Sequence, residues 1–304
     1  MSKAKPRVSI GLPVFNAEQY LAEALDSFLN QTFTDFELII SDNASTDQTQ
    51  TICRNYMARD PRIRYFRNEK NQGSIYNHNR VLALAQGEYF MWAGYDDRRA
   101  PVCLERCVTV LDREPNVVLA YPKTAIINED GRFVEYYQDH YNLRSPKAHE
   151  RFRRTFQRTR HELLNCIYGL IRMSALKQSQ GMGYYPAADV VLMAELSLHG
   201  QFYEIYEYLY YRRLHPRSAS QAVTTEEQLI KFYDPNAKGK IVSPRWRRLL
   251  GFVSAIRNAP LTPYERILCY REFARFYLSI DRWNGAMVDM AKLRAMVMRR
   301  FQPE

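Results

Sequence analysis

Two adjacent carboxylates at the end of an apolar segment are the residues in this sequence with the clearest chemical potential. Asp96 and Asp97 follow the run FMWAG of residues 90–94 and precede Arg98 and Arg99. Like charges this close repel each other, and in a partly desolvated place they persist only beside a compensating cation or strong hydrogen-bond donors. The pair therefore predicts a positively charged ligand, although adjacent aspartates after a strand also serve as turn formers or helix caps.

The segments that must position this pair alternate between strand and helix. The hydrophobic patterns predict strands over residues 7–15, 37–42, 63–68, 88–94 and 116–127, and helices over residues 17–31, 46–60, 74–86 and 100–114. The connections are too short for anything but strand–helix–strand units. The pattern therefore predicts an α/β fold with a mainly parallel sheet flanked by helices.

Polar residues follow four of the predicted strands where each one ends. They are Pro13, Phe15 and Asn16, then Asp42, Asn43 and Ser45, then Asn71 and Gly73, and finally Gly94, Asp96 and Asp97. Open sheets of this kind bind ligands beyond the carboxyl ends of their strands, so we expect these residues to form one rim. Neither a GxGxxG motif after the first strand nor a phosphate-loop motif occurs, which indicates that the ligand is held in another way.

The composition is typical of a folded protein from a reducing compartment. With 304 residues, 46% of them hydrophobic, the chain can bury the core of one large domain, or of one domain with an appendage. Its five cysteines are an odd number without a CxxC pair, which indicates reduced thiols. Neither a signal-peptide pattern nor an apolar run of bilayer length occurs, so we expect a cytoplasmic protein that does not cross a membrane.

Several motifs, in matching order and spacing, resemble glycosyltransferase family 2, whose members have the GT-A fold. The N-terminal half carries VSIGLPVFNAEQYLAEALDSFLNQTFTDFELIISDNASTDQT, NQGSIYNHNRVLALAQGEYFMWAGYDD, and then the proline and leucine of APVCLERC. The resemblance is dense over residues 7–130 and continues more weakly through NCIYGLIRMSAL, PAADVVLMAEL and YRRLHPRSAS. It implies an inverting transferase that uses a nucleotide-sugar donor.

The resemblance also implies roles for the rim, because such a donor needs a base reader, a ribose contact and a cation across its diphosphate. Asp42 would accept a hydrogen bond from a uracil or thymine ring NH. The nucleoside cleft would be formed by Pro13, Phe15, Asn16 and Glu18, and the pocket near it by Asn71, Gly73 and Arg80. Asp97 would bind Mg²⁺ or Mn²⁺ between the two phosphates, and Asp96 would lie near the ribose or the donor sugar.

Two departures from the family pattern concern acidic residues. Many relatives carry a further aspartate at the position of Gly94, in a D-x-D-D pattern, whereas this chain retains only the adjacent pair. Relatives also place two acids at the start of a late helix, where a carboxylate takes the proton of the acceptor hydroxyl. Here these positions are Ala188 and Asp189, so the resemblance implies Asp189 as the single catalytic base. Without the resemblance, a helix-capping or first-turn carboxylate would be the favoured interpretation of Asp189.

His215 lies in YRRLHPRSAS, after a predicted strand, where relatives often carry a histidine near the diphosphate. The resemblance implies that it donates to a phosphate or binds the metal ion, whereas a lone loop histidine is commonly a bystander. The neighbouring Arg212, Arg213 and Arg217 can assist, although a run of charges is usually a solvated face.

The positive charge is concentrated towards the C-terminal end. Residues 221–304 contain 15 Lys and Arg against 8 Asp and Glu, an excess of 7 within the total net charge of +10. We divide the chain into a catalytic domain of residues 1–222, with a nucleotide-binding part at about 1–130 and an acceptor part at about 131–222, and a basic helical extension of residues 223–304. The hydrophobic pattern of the extension predicts three amphipathic helices, over residues 245–259, 263–280 and 283–301. Such helices fit packing on their own domain, contact between copies of the chain or attachment to the inner face of a membrane, and the basic excess favours the membrane over contact between copies.

We therefore expect a metal-dependent inverting glycosyltransferase that moves a sugar from a nucleotide diphosphate to the hydroxyl group of a glycan or lipid-linked acceptor, in surface polysaccharide or glycan synthesis. UDP is the carrier expected by analogy, with GDP and dTDP as alternatives. A nucleotidyltransferase would need a glycine-rich basic loop after the first strand, which GLPVFNAEQ lacks. A basic nucleic-acid-binding protein would suit the charge, but the carboxylates at the sheet edge would repel phosphate, so we expect no nucleic-acid partner.

Overall fold

The computed structural model describes residues 5–156, 163–216, 218, 232–233 and 244–277. This part of the chain contains one sheet of nine strands. The strands are β1 (Val8–Val14), β2 (Phe36–Asp42), β3 (Ile63–Arg67), β4 (Tyr89–Trp92), β5 (Arg98–Arg99), β6 (Val117–Ile127), β7 (Phe133–Tyr137), β8 (Leu170–Arg172) and β9 (Gln201–Arg213). Their order across the sheet is β3-β2-β1-β4-β8-β6-β9-β5, with β7 pairing with β6.

The first four strands in this order form the predicted parallel sheet. β3, β2, β1 and β4 run parallel to one another, and β6 runs parallel to β9. β8 lies antiparallel between β4 and β6, and β5 and β7 are also antiparallel to their partners. β7 must be antiparallel because a short turn, closed by the Asn128 N–H donating to the Arg132 carbonyl at 2.9 Å, joins it to β6. The predicted α/β fold is confirmed, and its second half is a mixed sheet.

Helices cover both faces of the sheet. They are α1 (Leu21–Leu29), α2 (Thr49–Arg59), α3 (Ser74–Ala83), α4 (Cys103–Arg113), α5 (Ala148–Phe156), α6 (Met173–Gln178), α7 (Ala188–His199), α8 (Pro244–Asn258) and α9 (Pro263–Tyr277), with a short 3₁₀ helix at Asn165–Tyr168. Each of the four helices predicted in the N-terminal half contains one of α1 to α4, with shorter ends.

The alternating side chains of β4 show how the two faces are built. Tyr89 and Met91 are buried in a cluster with residues of α1 and α4, whereas Phe90 and Trp92 are buried on the opposite face with residues of α3 and α7. Burying a side chain of this size is worth about 1.5–3 kcal/mol, so this alternation fixes the register of the strand. The carboxyl ends of β1, β2 and β4 are thereby held at one edge of the sheet.

The two described helices of the C-terminal extension pack on the rest of the protein. Phe252 and Ile256 of α8 and Phe273 of α9 form a buried cluster with Phe152 of α5 and Val191 of α7. Packing on the same molecule, one of the three arrangements open to these helices, is therefore present. The third predicted helix, at residues 283–301, lies outside the described residues, and the domain boundary at residue 222 stays a prediction. In the described part of the chain we find no helix that combines the length and apolar character needed to cross a bilayer.

Candidate functional site

A cavity of about 750 Å³ lies at the carboxyl ends of the parallel strands. The ends of β1, β4 and β9 and the first turns of α3 surround it, which is the position where open α/β sheets bind ligands. Its lining includes His215 and eight of the residues predicted for the rim, namely Pro13, Phe15, Asn16, Asn43, Asn71, Gly94, Asp96 and Asp97. The ends of the four predicted strands are thus brought together with His215, which lies more than a hundred positions after Asp97 in the chain.

Asp97 is held by hydrogen bonds from β9. Its carboxylate accepts from the Tyr210 hydroxyl at 2.6 Å and from the Arg213 backbone N–H at 2.9 Å. The residue is 6% exposed, and burial, together with the charge of the adjacent Asp96, raises its pKa to about 6. Both oxygens of Asp97 therefore have protein donors before any ligand binds.

Asp96 has a different environment from its neighbour. One of its carboxylate oxygens lies 3.0 Å from Nε2 of His215, and its side chain is 17% exposed. The His215 ring packs against Tyr20 with 4.8 Å between ring centroids, and Arg213 Nε donates to the Asp96 carbonyl at 2.8 Å. Asp96 and His215 thus form a fixed pair of potential ligand groups at the cavity wall.

Gly94 leaves the space that the two carboxylates occupy. A Cβ atom at this position would lie 3.0 Å from an Asp96 oxygen and closer still to an oxygen of Asp97. In the observed arrangement the further aspartate that many relatives carry here would collide with Asp97. The glycine at this position therefore allows the Asp97 carboxylate to take the place in which it binds to β9.

The loop after β1 is fastened to the start of α2. Asn16 has a positive φ of 49°, its N–H donates to Ser45 Oγ at 2.9 Å, and its side-chain oxygen accepts from the Thr46 N–H at 2.9 Å. Glu18 accepts from the Gln48 N–H at 2.9 Å and lies outside the cavity lining. In the structure Asn16 is both a wall of the cavity and an anchor of its loop, whereas Glu18 is an anchor alone.

Asn43 links the end of β2 to the start of α3. Its amide donates to Asn71 Oδ1 at 2.8 Å and to the Gly73 carbonyl at 3.2 Å, and the Gly73 N–H donates to the same Asn71 oxygen at 2.9 Å. Gly73 has a φ of 91°, a conformation that favours glycine. Asn71 and Gly73 are therefore needed for the turn, and Asn71 also lines the cavity.

Asp42 is fully buried beneath this edge. Its two oxygens accept from the Ser45 N–H at 2.8 Å and from the Tyr65 hydroxyl at 2.7 Å, and Arg67 Nε lies 3.4 Å away. Asp42 is not part of the cavity lining. Its role as base reader stays a prediction, because a nucleobase would have to replace one of these hydrogen bonds.

Asp189 and Arg80 also lie outside the lining. Asp189 is in the first turn of α7, after Ala187 in a left-handed conformation with a φ of 62°. Its negative charge raises the pKa values of His78 and Tyr168, both of which line the cavity. Burial has the larger effect on each, and it lowers the pKa of His78 and raises that of Tyr168. Asp189 is therefore close to one end of the cavity. Arg80 lies on α3, and no hydrogen bond or ion pair within the described part of the chain connects its side chain to the site.

A buried chain of polar groups supports Arg212, one of the cavity-lining residues that the resemblance did not place. Arg212 donates to Asn165 Oδ1 at 2.6 Å, and the Asn165 amide donates to an oxygen of Asp139 at 3.5 Å. That oxygen also accepts from the Thr124 hydroxyl at 3.1 Å, while the other Asp139 oxygen has no hydrogen-bond partner among the described residues. Burial raises the pKa of Asp139 to about 7.

Sequence reasoning also missed His78 and Tyr210. Both residues lie on predicted elements. Their position at the site depends on contacts between segments that are distant in the chain, which local sequence patterns do not reveal. The one available signal was the histidine within GSIYNHNRV at the start of a helix that follows the rim. Arg217, which was named with the other arginines, lies outside the described residues.

The fold and the cavity define an α/β protein that binds its ligand beyond the ends of its strands, and comparison with known proteins gives the family. The model of Glycosyl transferase family 2 matches residues 9–178, more than half of the chain. The chain belongs to this family. The resemblance seen in the sequence is confirmed, and with it the class of enzyme, a glycosyltransferase.

The curated relatives match the N-terminal half. Chondroitin synthase from Escherichia coli is 32% identical over 132 residues, 43% of this chain and 19% of the relative. An uncharacterized glycosyltransferase from Methanocaldococcus jannaschii is 29% identical over 148 residues, 48% of this chain and 51% of the relative. The chain thus spans about a fifth and about a half of these two relatives.

Solved structures resemble nearly the whole chain. S. aureus TarS 1–349 in complex with UDP-GlcNAc has a TM-score of 0.64 at 22% identity and covers 92% of this chain and 74% of its own. The mannosyltransferase PcManGT from Pyrobaculum calidifontis, in complex with GDP-Man and Mn²⁺, has a TM-score of 0.52 at 15% identity and covers 99% and 89%. At these identities the likeness establishes the fold, in agreement with the predicted GT-A fold.

Proposed function

We propose that this protein transfers a sugar from a nucleotide-diphosphate donor to an acceptor hydroxyl with inversion at the anomeric carbon. The observation that carries the proposal is the arrangement around one cavity: the Asp96–His215 pair and Arg212 line it, and the charge of Asp189 reaches His78 and Tyr168 in its wall. A diphosphate would lie at the first group, and the acceptor hydroxyl would approach Asp189.

Asp96 and His215 are the residues that we assign to a divalent ion. Among the described residues, no group of three or more His, Cys, Asp or Glu could hold a metal on its own. The pair nevertheless fits, because an imidazole nitrogen and a carboxylate oxygen are both ligands of divalent ions, and the ion would take the place of the hydrogen bond between them. Mg²⁺ usually takes its other ligands from substrate phosphates and water. Bound there, Mg²⁺ or Mn²⁺ would stabilise the charge of the departing diphosphate.

This assignment differs from the expectation that Asp97 is the ligand. Asp97 already accepts two hydrogen bonds from β9 and is more buried than Asp96. We propose that Asp97 fixes the acidic loop to β9 and that Asp96 presents the carboxylate to the ion. Substituting the two aspartates one at a time distinguishes these roles.

The nucleoside would bind at the β1 and β2 ends of the cavity. Phe15 lines the cavity while 42% exposed, so its ring can pack against a nucleobase. Asn71 and Asn16 offer amide groups to the base or the ribose, and Arg212, fixed by Asn165, offers a guanidinium to the diphosphate. UDP is the carrier that we propose first, supported by the fold shared with TarS, which is solved with UDP and with UDP-GlcNAc.

Asp189 is the residue that we propose as catalytic base. The acceptor oxygen would form a bond to the anomeric carbon while its proton passes to the Asp189 carboxylate. The bond from that carbon to the phosphate oxygen breaks, and the nucleoside diphosphate leaves with the electron pair. Attack from the face opposite the leaving group inverts the anomeric centre.

A thermal-shift panel tests the donor site. UDP, dTDP, GDP and CMP are each added to the wild type with and without Mn²⁺, and binding to the folded state must raise the melting temperature. We expect a shift with UDP that requires Mn²⁺. A shift with GDP or dTDP alone would identify that nucleotide as the carrier in place of UDP. The absence of a shift with all four nucleotides would overturn the proposed donor site.

For the acceptor, we propose a glycan or a lipid-linked glycan reached from a membrane surface. The outer faces of α8 and α9 expose Leu250 at 59% and Ile267 at 65%, and the exposed Arg247, Arg257 and Arg271 lie on the same two helices. Apolar and basic side chains together favour an anionic bilayer surface. Surface polysaccharide synthesis would suit this arrangement.

A flotation assay with vesicles of phosphatidylglycerol and phosphatidylcholine tests this attachment. We expect the full chain to float with anionic vesicles and the Leu250→Glu/Ile267→Glu variant to remain behind. Met57→Glu, which changes a 41% exposed methionine on α2, is the matched control and should float. If both variants float equally well, the apolar side chains of α8 and α9 do not contribute to membrane binding.

A further inference from the structure

His78 has one ring nitrogen whose protonation the backbone determines. It lies on α3 and lines the cavity, and its Nδ1 is 2.8 Å from the Ser74 carbonyl oxygen one turn earlier. A carbonyl oxygen can only accept, so Nδ1 must carry the hydrogen. In the neutral ring the other nitrogen, Nε2, then has no hydrogen and can only accept.

The surroundings keep the His78 ring neutral. Burial lowers its pKa, and the hydrogen bond to Ser74 and the negative charge of Asp189 oppose this only in part. The Trp92 ring N–H donates to the His78 carbonyl at 3.2 Å, and the Asn77 amide donates to the Ser41 carbonyl at 2.7 Å, which fixes this turn of α3 against the sheet. The ring therefore stands on a rigid support.

Nε2 of His78 has no hydrogen-bond donor among the described residues. The hydrogen bonds of the ring within this part of the chain, to the Ser74 carbonyl and at 3.3 Å to its hydroxyl, both involve Nδ1. Because His78 lines the cavity and Nδ1 is occupied by Ser74, Nε2 is the ring nitrogen that remains for a ligand there.

The charges around His78 locate it at the end of the cavity that carries Asp189. Of the carboxylates at the site, Asp189 is the one whose charge raises the pKa of His78, Asp96 and Asp97 raise the pKa of Tyr95, and all three raise the pKa of Tyr168. On the proposed function, Asp189 meets the acceptor hydroxyl at the anomeric carbon. Because His78 also lines the cavity, the sugar unit of the donor would lie within its reach.

We propose that His78 Nε2 accepts a hydrogen bond from a hydroxyl group of the sugar that is transferred, which makes His78 a determinant of sugar selectivity. This inference rests on the proposed function. It assigns His78 a contact with substrate and no proton transfer. The ligand class is a hexose or N-acetylhexosamine unit carrying a free hydroxyl on the α3 side of the cavity.

Two substitutions of His78 distinguish the role of Nδ1 from that of Nε2. His78→Asn places an amide NH₂ where Nδ1 lies, so that the bond to Ser74 can persist while Nε2 is lost. His78→Gln reaches further and can place an amide oxygen near the position of Nε2. His199→Asn is the matched control, because burial also lowers the pKa of His199, which lies at the opposite end of α7 from Asp189.

Calorimetry with Mn²⁺ then compares UDP, UDP-glucose, UDP-galactose and UDP-N-acetylglucosamine. One neutral hydrogen bond is worth about 1 kcal/mol, so His78→Asn should weaken binding of the preferred UDP-sugar about fivefold while leaving binding of UDP unchanged. His78→Gln should recover part of the loss, and His199→Asn should bind like the wild type. An equal loss for UDP and for the UDP-sugar, or no loss for either, would overturn the assignment.

A nitrogen NMR measurement separates this inference from the proposed function. In the free full-length protein, the ¹⁵N shifts of the His78 ring should show a protonated Nδ1 and an unprotonated Nε2. A protonated Nε2 in the free protein would refute the inference even if sugar nucleotides bind. If none of the four UDP ligands binds the wild type, the UDP-sugar donor is refuted, and with it the sugar contact of His78, whatever the tautomer.

Discussion

Replacing Asp139 by asparagine should make the protein more stable above pH 7. The folded protein holds the Asp139 proton up to a pH of about 7 because the carboxyl group is buried, whereas the ordinary pKa is 3.8. Between these two values the folded state binds more protons than the unfolded state, so the free energy of unfolding falls as pH rises. Asparagine does not ionise, and the variant therefore avoids this loss.

The size of the effect follows from the same two pKa values. A difference of about three pKa units at 1.36 kcal/mol per unit gives about 4 kcal/mol as an upper limit above pH 7. An asparagine oxygen can still accept from Thr124 and Asn165, and its NH₂ group would take the place of the oxygen that lacks a described partner. Because interiors relax around a buried charge, we expect about half of the limit, or about 2 kcal/mol at pH 8.

Urea unfolding of the wild type and of Asp139→Asn at pH 5, 6, 7 and 8 measures this difference. The advantage of the variant should grow with pH up to about 7 and then level off. Asp130→Asn removes an exposed carboxylate from the nearby turn and controls for the loss of one negative charge. Parallel curves for the wild type and Asp139→Asn, or a less stable variant at pH 8, would refute the reasoning that burial dominates at Asp139.

Three further predictions concern the site. Asp96→Asn should abolish the Mn²⁺-dependent part of the UDP thermal shift, whereas Asp97→Asn should retain part of that shift; the opposite result would identify Asp97 as the ligand of the ion. Asp189→Asn should reduce kcat for sugar transfer by about 10²- to 10⁴-fold with UDP binding unchanged by calorimetry, and a loss below tenfold would rule it out as the base. Tyr210→Phe removes the 2.6 Å hydrogen bond to Asp97 and should cost about 1–3 kcal/mol in urea unfolding, with no cost if the bond carries no net stability.

The parallel half of the fold was predictable because its pattern is local. Each of β1 to β4 is a short apolar segment followed by a helix with apolar residues at helical spacing, and these are signals within about fifteen residues. The parallel direction of these strands and the rim at their carboxyl ends follow from the rules of strand–helix–strand connection, whereas the order β3-β2-β1-β4 was not predicted. The cavity accordingly includes Pro13, Asn16, Asn71 and the acidic pair.

The antiparallel half and the roles within the site were not predictable in the same way. β8 is three residues long and β5 two, too short for a periodic pattern, and each exists because a partner strand supplies its hydrogen bonds. The bond of Tyr210 to Asp97 joins residues 113 positions apart. The resemblance fixed which residue types gather at the rim, but only such distant contacts determine which carboxylate is free to bind.

The acidic pair thus finds much of its compensation within the protein. The Tyr210 hydroxyl and the Arg213 N–H satisfy Asp97, and His215 lies against Asp96. An ion is therefore not required for the pair to exist, in contrast to the simplest interpretation of two adjacent aspartates. It follows that Mn²⁺ should affect nucleotide binding much more than the stability of the free protein. A large rise in melting temperature with Mn²⁺ alone would mean that these internal donors do not balance the pair and that the ion is part of the fold.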